Sequence, residues 1–305
     1  MRKKDLLTLF DYTPEEIRGI LMLAAKLKEG RGVAEKKVLA GKTGVMIFEK
    51  PSLRTRISFE TAIHELGGHA INLASESVGM GTRESVEDVA RNLERIVHLV
   101  VARTFAHETL TRLAASCSAP VINALTDTSH PCQALAFGLT MQEERGGKRL
   151  NVAFVGDGNN VCSSIIALSA KLGYRMTIVG PKGYEPPESV IERAKEACKT
   201  TGGEIFVTDD LNAAVWNADA VYTDVWASMG QEKETEERKK AFADYQVNAE
   251  LIAQAPKDVL ISHCLPAHRG EEITSDVLDS DACVAYDEAE NRLHVQKAVI
   301  THLFS

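Results

Sequence analysis

The chain lacks the features that would tie it to nucleic acid, to a membrane or to an oxidising compartment. Its 305 residues carry 35 basic against 43 acidic side chains, a formal net charge of −8. That balance argues against nucleic acid or an anionic membrane as a partner, since both repel an acidic surface. No window approaches the roughly 18 consecutive apolar residues of a membrane-spanning helix. The apolar stretch from Leu6 to Phe10 is interrupted by Thr8 and followed by Asp11, which is too short for a signal peptide. The cysteines (117, 132, 162, 198, 264 and 283) include no C-x-x-C pair, so neither a zinc site nor a redox dithiol is expected. A cytoplasmic chain with reduced thiols is the expectation.

What is present is ordinary globular composition, 44% hydrophobic and 26% charged. Short β-branched runs alternate with longer helical patterns. Strands are expected at 45–48, 69–73, 98–102 and 120–123. Helices are expected at 54–66, 85–97, 107–117 and from Pro131 to about 144. In the first of these, Ile57, Phe59, Ala62, Ile63 and Leu66 form the apolar face and Gly67-Gly68 the stop. Arg145-Gly146-Gly147-Lys148 reads as a linker. Beyond it, strands are expected at 151–155, 176–179, 204–207, 220–223, 259–262 and 283–285, with a last helix at 289–303. Such alternation implies an α/β fold of two domains, each a parallel sheet flanked by helices. Ligands of such sheets bind at the carboxyl ends of strands, so the residues that follow each strand carry most of the information.

The first strand is followed by Ser52-Leu53-Arg54-Thr55-Arg56 at a helix start. Free N–H groups and the positive dipole end of a first turn, joined by hydroxyls and guanidiniums, make an anion site; the plainer reading is a solvated helix start. Arg103 follows the third strand and His130-Pro131-Cys132-Gln133 the fourth. Alone, Arg103 would be a surface residue and His130 a helix cap. Together they put Arg54, Arg103, His130 and Gln133 after strands of one sheet, where side chains can converge. In the second half, Gly156-Asp157-Gly158-Asn159-Asn160-Val161 imitates a dinucleotide turn but has Val161 where the third glycine belongs. Asp224 opens the loop Asp224-Val225-Trp226-Ala227-Ser228-Met229-Gly230, and His263-Cys264-Leu265-Pro266 ends a later strand. Taken singly these are an acidic loop and a buried cysteine.

In order along the chain, these segments resemble the signatures of the aspartate and ornithine carbamoyltransferases. The matches are Ser-x-Arg-Thr-Arg, His-Pro-x-Gln, and the Asp-x-x-x-Ser-Met-Gly and His-Cys-Leu-Pro motifs of the ornithine-specific branch. The resemblance implies a carbamoyl phosphate-binding domain over 1–145, a Rossmann-like ornithine-binding domain over 146–288, and a C-terminal helix, 289–305, returning to the first. It implies transfer of the carbamoyl group from carbamoyl phosphate to the side-chain amine of ornithine, with no metal or cofactor. Carbamoyl phosphate would be held by Ser52, Leu53, Arg54, Thr55, Arg103, His130, Gln133, Cys264, Leu265 and Arg292. Ornithine would be held by Asn160, Asp224, Ser228 and Met229. Arg103, His130, Asp224 and Cys264 are the implied catalytic residues. A homotrimer or a multiple of one is implied as well, because members of the family borrow a loop from the neighbouring subunit.

That loop is where the chain departs from the pattern: the family's Gln-(Leu or Met)-Gly is replaced by Gly79-Met80-Gly81, followed by Thr82-Arg83. Either Arg83 or a backbone N–H replaces the glutamine, or the affinity for carbamoyl phosphate falls. Three rival readings stand beside the main one: a carbamoyltransferase for another amine, a non-catalytic relative, and a nicotinamide enzyme. The second would be expected to lose a charged site residue, and the third lacks its glycine.

Overall fold

The computed structural model describes residues 4–32, 36–74, 78–227 and 234–305. The chain divides into two compact units, residues 1–139 with 290–305, and residues 140–289. The boundaries of these units fall inside two helices, Pro131–Arg145 and Ala285–Leu303.

The first unit holds a four-stranded parallel sheet, β1 Thr43–Phe48, β2 His69–Ala74, β3 Leu99–Arg103 and β4 Val121–Leu125, in the order β2-β1-β3-β4. β3 is buried throughout and β1 and β4 nearly so, as parallel strands covered on both faces must be. Helix Leu53–Glu65 buries Thr55, Phe59, Ala62 and Ile63. Ile57, expected on that face, is 56% exposed; at about 100° per residue it lies opposite Thr55 and Phe59. Helix Val86–Leu93 is shorter than the expected 85–97, although Ser85 does cap it by accepting from Asp88 N–H.

The second unit holds β5 Asn151–Val155, β6 Arg175–Val179, β7 Glu204–Thr208, β8 Ala220–Thr223 and β9 Leu260–His263, all parallel, in the order β7-β6-β5-β8-β9. Renumbered within the unit this is 3-2-1-4-5, the doubly wound order. The expected strand at 283–285 is not one. Cys283 makes only an isolated bridge to Ile261, and Ala285 already begins the last helix. A three-residue apolar run cannot by itself separate a strand from a buried helix start.

In each unit the strand order reverses once, between β1 and β3 in the first and between β5 and β8 in the second. At such a reversal the loops leave the sheet in opposite directions and open a crevice at the carboxyl ends of the strands. Ser52–Thr55 follow β1, and Arg103 ends β3 with Thr104 after it; the segments after β5 and β8 contain 156–160 and 224–227.

Candidate active site

In the first unit, Ser52 is the N-cap of helix Leu53–Glu65, yet its side chain makes no capping bond. The hydroxyl and the first-turn N–H groups of Leu53, Arg54 and Thr55 are therefore left for a ligand. Leu53 is 71% exposed and Thr55 is buried. Thr55 Oγ1 accepts a hydrogen bond from Arg292 Nη2, so the Thr55 proton remains available to donate. Arg54 Nε is buried with no hydrogen-bond partner among the described residues. Arg103, at the end of β3, is 6% exposed, and its carbonyl accepts from Glu49 N–H at 2.8 Å.

His130 is buried just before helix Pro131–Arg145, with Gln133 buried one turn on. Burial, reinforced by the guanidiniums of Arg292 and Arg103, holds His130 well below the ordinary imidazole range. At neutral pH His130 is an uncharged imidazole that can donate one N–H. The shift also reports geometry: Arg103, from a strand end, and Arg292, from the last helix, both lie within electrostatic reach of His130. Arg103, His130, Thr55 and Arg292 thus belong to one cluster of positive charge and hydrogen-bond donors, suited to a small dianion with a polarisable carbonyl.

In the second unit Asp224 follows β8 and is 5% exposed. Its Oδ1 accepts from Val225 N–H and from the Cys264 thiol, each at 2.8 Å, and its Oδ2 accepts from Asn159 Nδ2 at 2.8 Å. The orientation of Asn159 is not arbitrary. Its Oδ1 caps helix Asn160–Leu172 by accepting from Val161 and Cys162 N–H at 2.9 and 3.0 Å, which turns the amide donor toward Asp224. Asp224 and Cys264 are register partners by extension, because β8 pairs with β9 as Thr223↔His263. A carboxylate beside a thiol at the carboxyl ends of two strands presents negative charge that can attract a cationic group.

Sequence reasoning singled out Asn160 but not Asn159, the residue that touches Asp224. Its signal was present: an asparagine directly before a helical run is an N-cap. Ser228 and Met229 lie outside the described residues.

Two buried acids support the His263–Leu265 turn and were also missed. Leu265 N–H donates to His263 Nδ1 at 2.8 Å, so His263 carries its proton on Nε2 and donates it to Glu272 Oε1 at 3.0 Å. Both side chains are fully buried. The second acid, Glu288, accepts from Tyr222 and Ser262. Leu265 itself has φ +54°, an unusual conformation for a residue other than glycine, and the Leu265–Pro266 peptide is cis.

Asp224, His263 and Cys264 have the composition of a metal site, with donor atoms within 4.8 Å of one another. The hydrogen bonding does not fit one. One imidazole nitrogen already accepts from Leu265 and the other donates to Glu272, so His263 has no lone pair to offer. A dinucleotide fits no better. In that motif the second glycine lets a pyrophosphate approach the backbone, but here a Cβ on Gly158 would come within 2.2 Å of Pro186 N. The chain's own backbone fills the approach.

The loop where the glutamine is missing has a backbone reason for its glycine. Gly79 has φ +63°, and a Cβ there would lie 2.8 Å from Arg83 Cβ. Its carbonyl accepts from the N–H groups of Thr82, Arg83 and Glu84 at 2.8–3.2 Å, which curls the loop tightly and leaves Arg83 exposed.

Comparison with known proteins shows the family. Residues 4–143 match the carbamoyl-P binding domain, and residues 148–303 the Asp/Orn binding domain, of the aspartate/ornithine carbamoyltransferases. An ornithine carbamoyltransferase of Halalkalibacterium halodurans is 50% identical over 307 residues, covering 99% of this chain and 96% of that protein. One from Pyrococcus furiosus, described as anabolic, is 48% identical over 299 residues, covering 97% and 95% of the two chains. A solved ornithine carbamoyltransferase structure from Pyrococcus furiosus superimposes with a TM-score of 0.95 at 48% identity, covering 98% and 96%.

Proposed function

We propose a division of labour between two half-sites in this chain, which belongs to the aspartate/ornithine carbamoyltransferase family. Its reaction is transfer of the carbamoyl group from carbamoyl phosphate to the side-chain amine of L-ornithine, giving citrulline and phosphate. In the first half-site, the phosphate is bound by Ser52, Arg54, Thr55, Arg103 and Arg292 with the N–H of Leu53. The carbamoyl oxygen takes hydrogen bonds from Thr55, Arg103 and neutral His130. Gln133 holds the carbamoyl amide. In the second half-site, Asp224 and Asn160, with Ser228 and Met229, bind ornithine.

The chemistry is attack of a neutral amine on the carbonyl carbon. A C–N bond forms, negative charge grows on the carbonyl oxygen, and the C–O bond to phosphate then breaks. Donors aimed at that oxygen strengthen as the charge develops, which is where their catalytic value lies. The alkylamine, with a pKa above 10 in water, reaches the site as a cation. Asp224 recognises it in that form; the ammonium gives up one proton to solvent to become the neutral nucleophile, and the second proton, lost from nitrogen as the C–N bond forms, ends on the departing phosphate. The observation that carries the amine assignment is the partly buried Asp224–Cys264 contact at 2.8 Å.

The relative described as anabolic supports a role in arginine biosynthesis. The absence of any spanning helix among the described residues fits work in the cytoplasm. A homotrimer, or a multiple of one, rests on the family resemblance of the 79–83 loop; exposed Leu53 and Ile57, one turn apart on a single helix face, offer apolar surface that a neighbour would cover. In that assembly either exposed Arg83 or a backbone N–H of the loop takes the place of the missing glutamine, or the affinity for carbamoyl phosphate falls. The test is citrulline formation by purified protein from carbamoyl phosphate with ornithine, N-acetylornithine, putrescine or lysine in parallel. Product from ornithine alone is expected; faster turnover of another amine would overturn the reading of Asp224.

A further inference from the structure

Strands β8 and β9 run parallel with Tyr222 directly across from Ser262. One pleat further toward the carboxyl ends, on the same face, come Asp224 and Cys264. Between Tyr222 and Ser262 sits the carboxylate of Glu288, fully buried. Tyr222 OH donates to Oε1 at 2.8 Å and Ser262 Oγ donates to Oε2 at 2.6 Å. Tyr222 is held from its other side by stacking on Phe154 of β5, with ring centroids 5.7 Å apart.

We propose that Glu288 is a positioning residue: its carboxylate clamps β8 to β9 one pleat below Asp224 and Cys264, and so fixes their separation for the amine. A bidentate acceptor spans the gap between two strands about 4.8 Å apart without adding a covalent link. The backbone ladder fixes register and spacing only as far as Thr223 and His263; the clamp fixes how far the next side chains on that face, beyond the ladder, stand from each other. Burial and the charge of Glu288, with smaller contributions from Cys264 and Asp224, hold the Tyr222 phenol well above its ordinary range. It therefore stays a hydrogen-bond donor at any working pH, and all these groups lie within electrostatic reach of one another. The β8–β9 ladder pairs backbone with backbone, whereas Glu288 accepts from the side chains of Tyr222 and Ser262, so the clamp concerns side-chain placement rather than strand formation.

The inference rests on the proposal that Asp224 and Cys264 face the amine, and the experiment separates the two. Steady-state kinetics with ornithine at saturating carbamoyl phosphate would be run on Glu288→Ala, Glu288→Gln and Cys264→Ala, with binding of inorganic phosphate measured by calorimetry. Glutamine can still bridge the two hydroxyls, one as acceptor and one as donor, because a hydroxyl serves either role. Expected are a loss of about tenfold to a hundredfold in kcat/KM for ornithine in Glu288→Ala, the scale of a small misplacement. Glu288→Gln should recover most of that loss, and phosphate binding should stay within about twofold of the parent protein. If Glu288→Ala does not fold, Tyr222→Phe and Ser262→Ala each remove one arm of the clamp and should each raise KM for ornithine. Parental kinetics in the alanine variant, a glutamine variant as poor as the alanine one, or an equal loss of phosphate binding would overturn the clamp. Parental ornithine kinetics in Cys264→Ala would instead overturn the amine assignment on which it stands.

Discussion

Replacing Asp224 by asparagine tests the amine half-site with a change of one atom. Asp224 accepts three hydrogen bonds, two at Oδ1 and one at Oδ2. Asparagine has one acceptor oxygen, so with that oxygen toward Val225 and Cys264 its amide nitrogen would face the Asn159 amide, donor against donor. Asn159 can turn over to relieve this, but it then loses the cap on Val161 and Cys162. That exchange limits the loss of stability to about 1 kcal/mol, the usual value of an N-cap. The larger effect is on the substrate, because a charge-assisted hydrogen bond to the ornithine side chain becomes a neutral one. With such bonds contributing about 1.5–3 kcal/mol and 1.36 kcal/mol per decade, kcat/KM for ornithine should fall by roughly ten- to a hundredfold or somewhat more. Citrulline initial rates at saturating carbamoyl phosphate measure this, with denaturant unfolding as the companion. Ornithine kinetics like those of the parent protein, or a stability loss several times the cap value, would refute the reasoning.

Other expectations are as direct. Arg103→Ala should reduce turnover by about a hundredfold or more, the effect of losing one donor to a developing oxyanion, as read from kcat at saturation in both substrates. His130 is held neutral in the fold, so the unfolded chain takes up a proton more readily below about pH 6.5. The parent protein should therefore lose stability as the pH falls from about 7 to 5, and His130→Gln should flatten that decline in denaturant titrations. Glu272→Ala leaves the buried His263 Nε2–H without its acceptor and should destabilise unfolding midpoints by an amount equivalent to about 1–3 kcal/mol.

The carboxyl ends of the strands were the legible part of this molecule. The strand ends near Arg103, His130, Asp224 and Cys264 could be placed from short apolar runs, which are local information, while the choice of those residues rested on the family resemblance of their motifs. Asn159 was legible in principle, as a cap, but its second contact to Asp224 joins residues 65 apart in the chain, which no local pattern encodes. Glu272 and Glu288 were hidden for a different reason. Each stands in a run of charged residues, Glu271-Glu272 and Asp287-Glu288, where exposure is the normal expectation. Only the tertiary pairing with His263, or with Tyr222 and Ser262, makes burial tolerable. The supposed strand at 283–285 failed because three apolar residues carry no period.

The left-handed backbone at Leu265 also constrains which sequences can occupy this turn. Along β9, immediately before it, leucine and isoleucine sit side by side in extended backbone and could exchange with little penalty beyond packing. At φ +54° the same exchange is closed, because a side chain branched at Cβ crowds the flanking carbonyl in that region. Leu265 to isoleucine or valine would preserve hydropathy and nearly preserve volume, yet it would oppose the hydrogen bond from Leu265 N–H to His263. Substitution scores that count only polarity and size would rate that change as harmless at a position where the backbone forbids it.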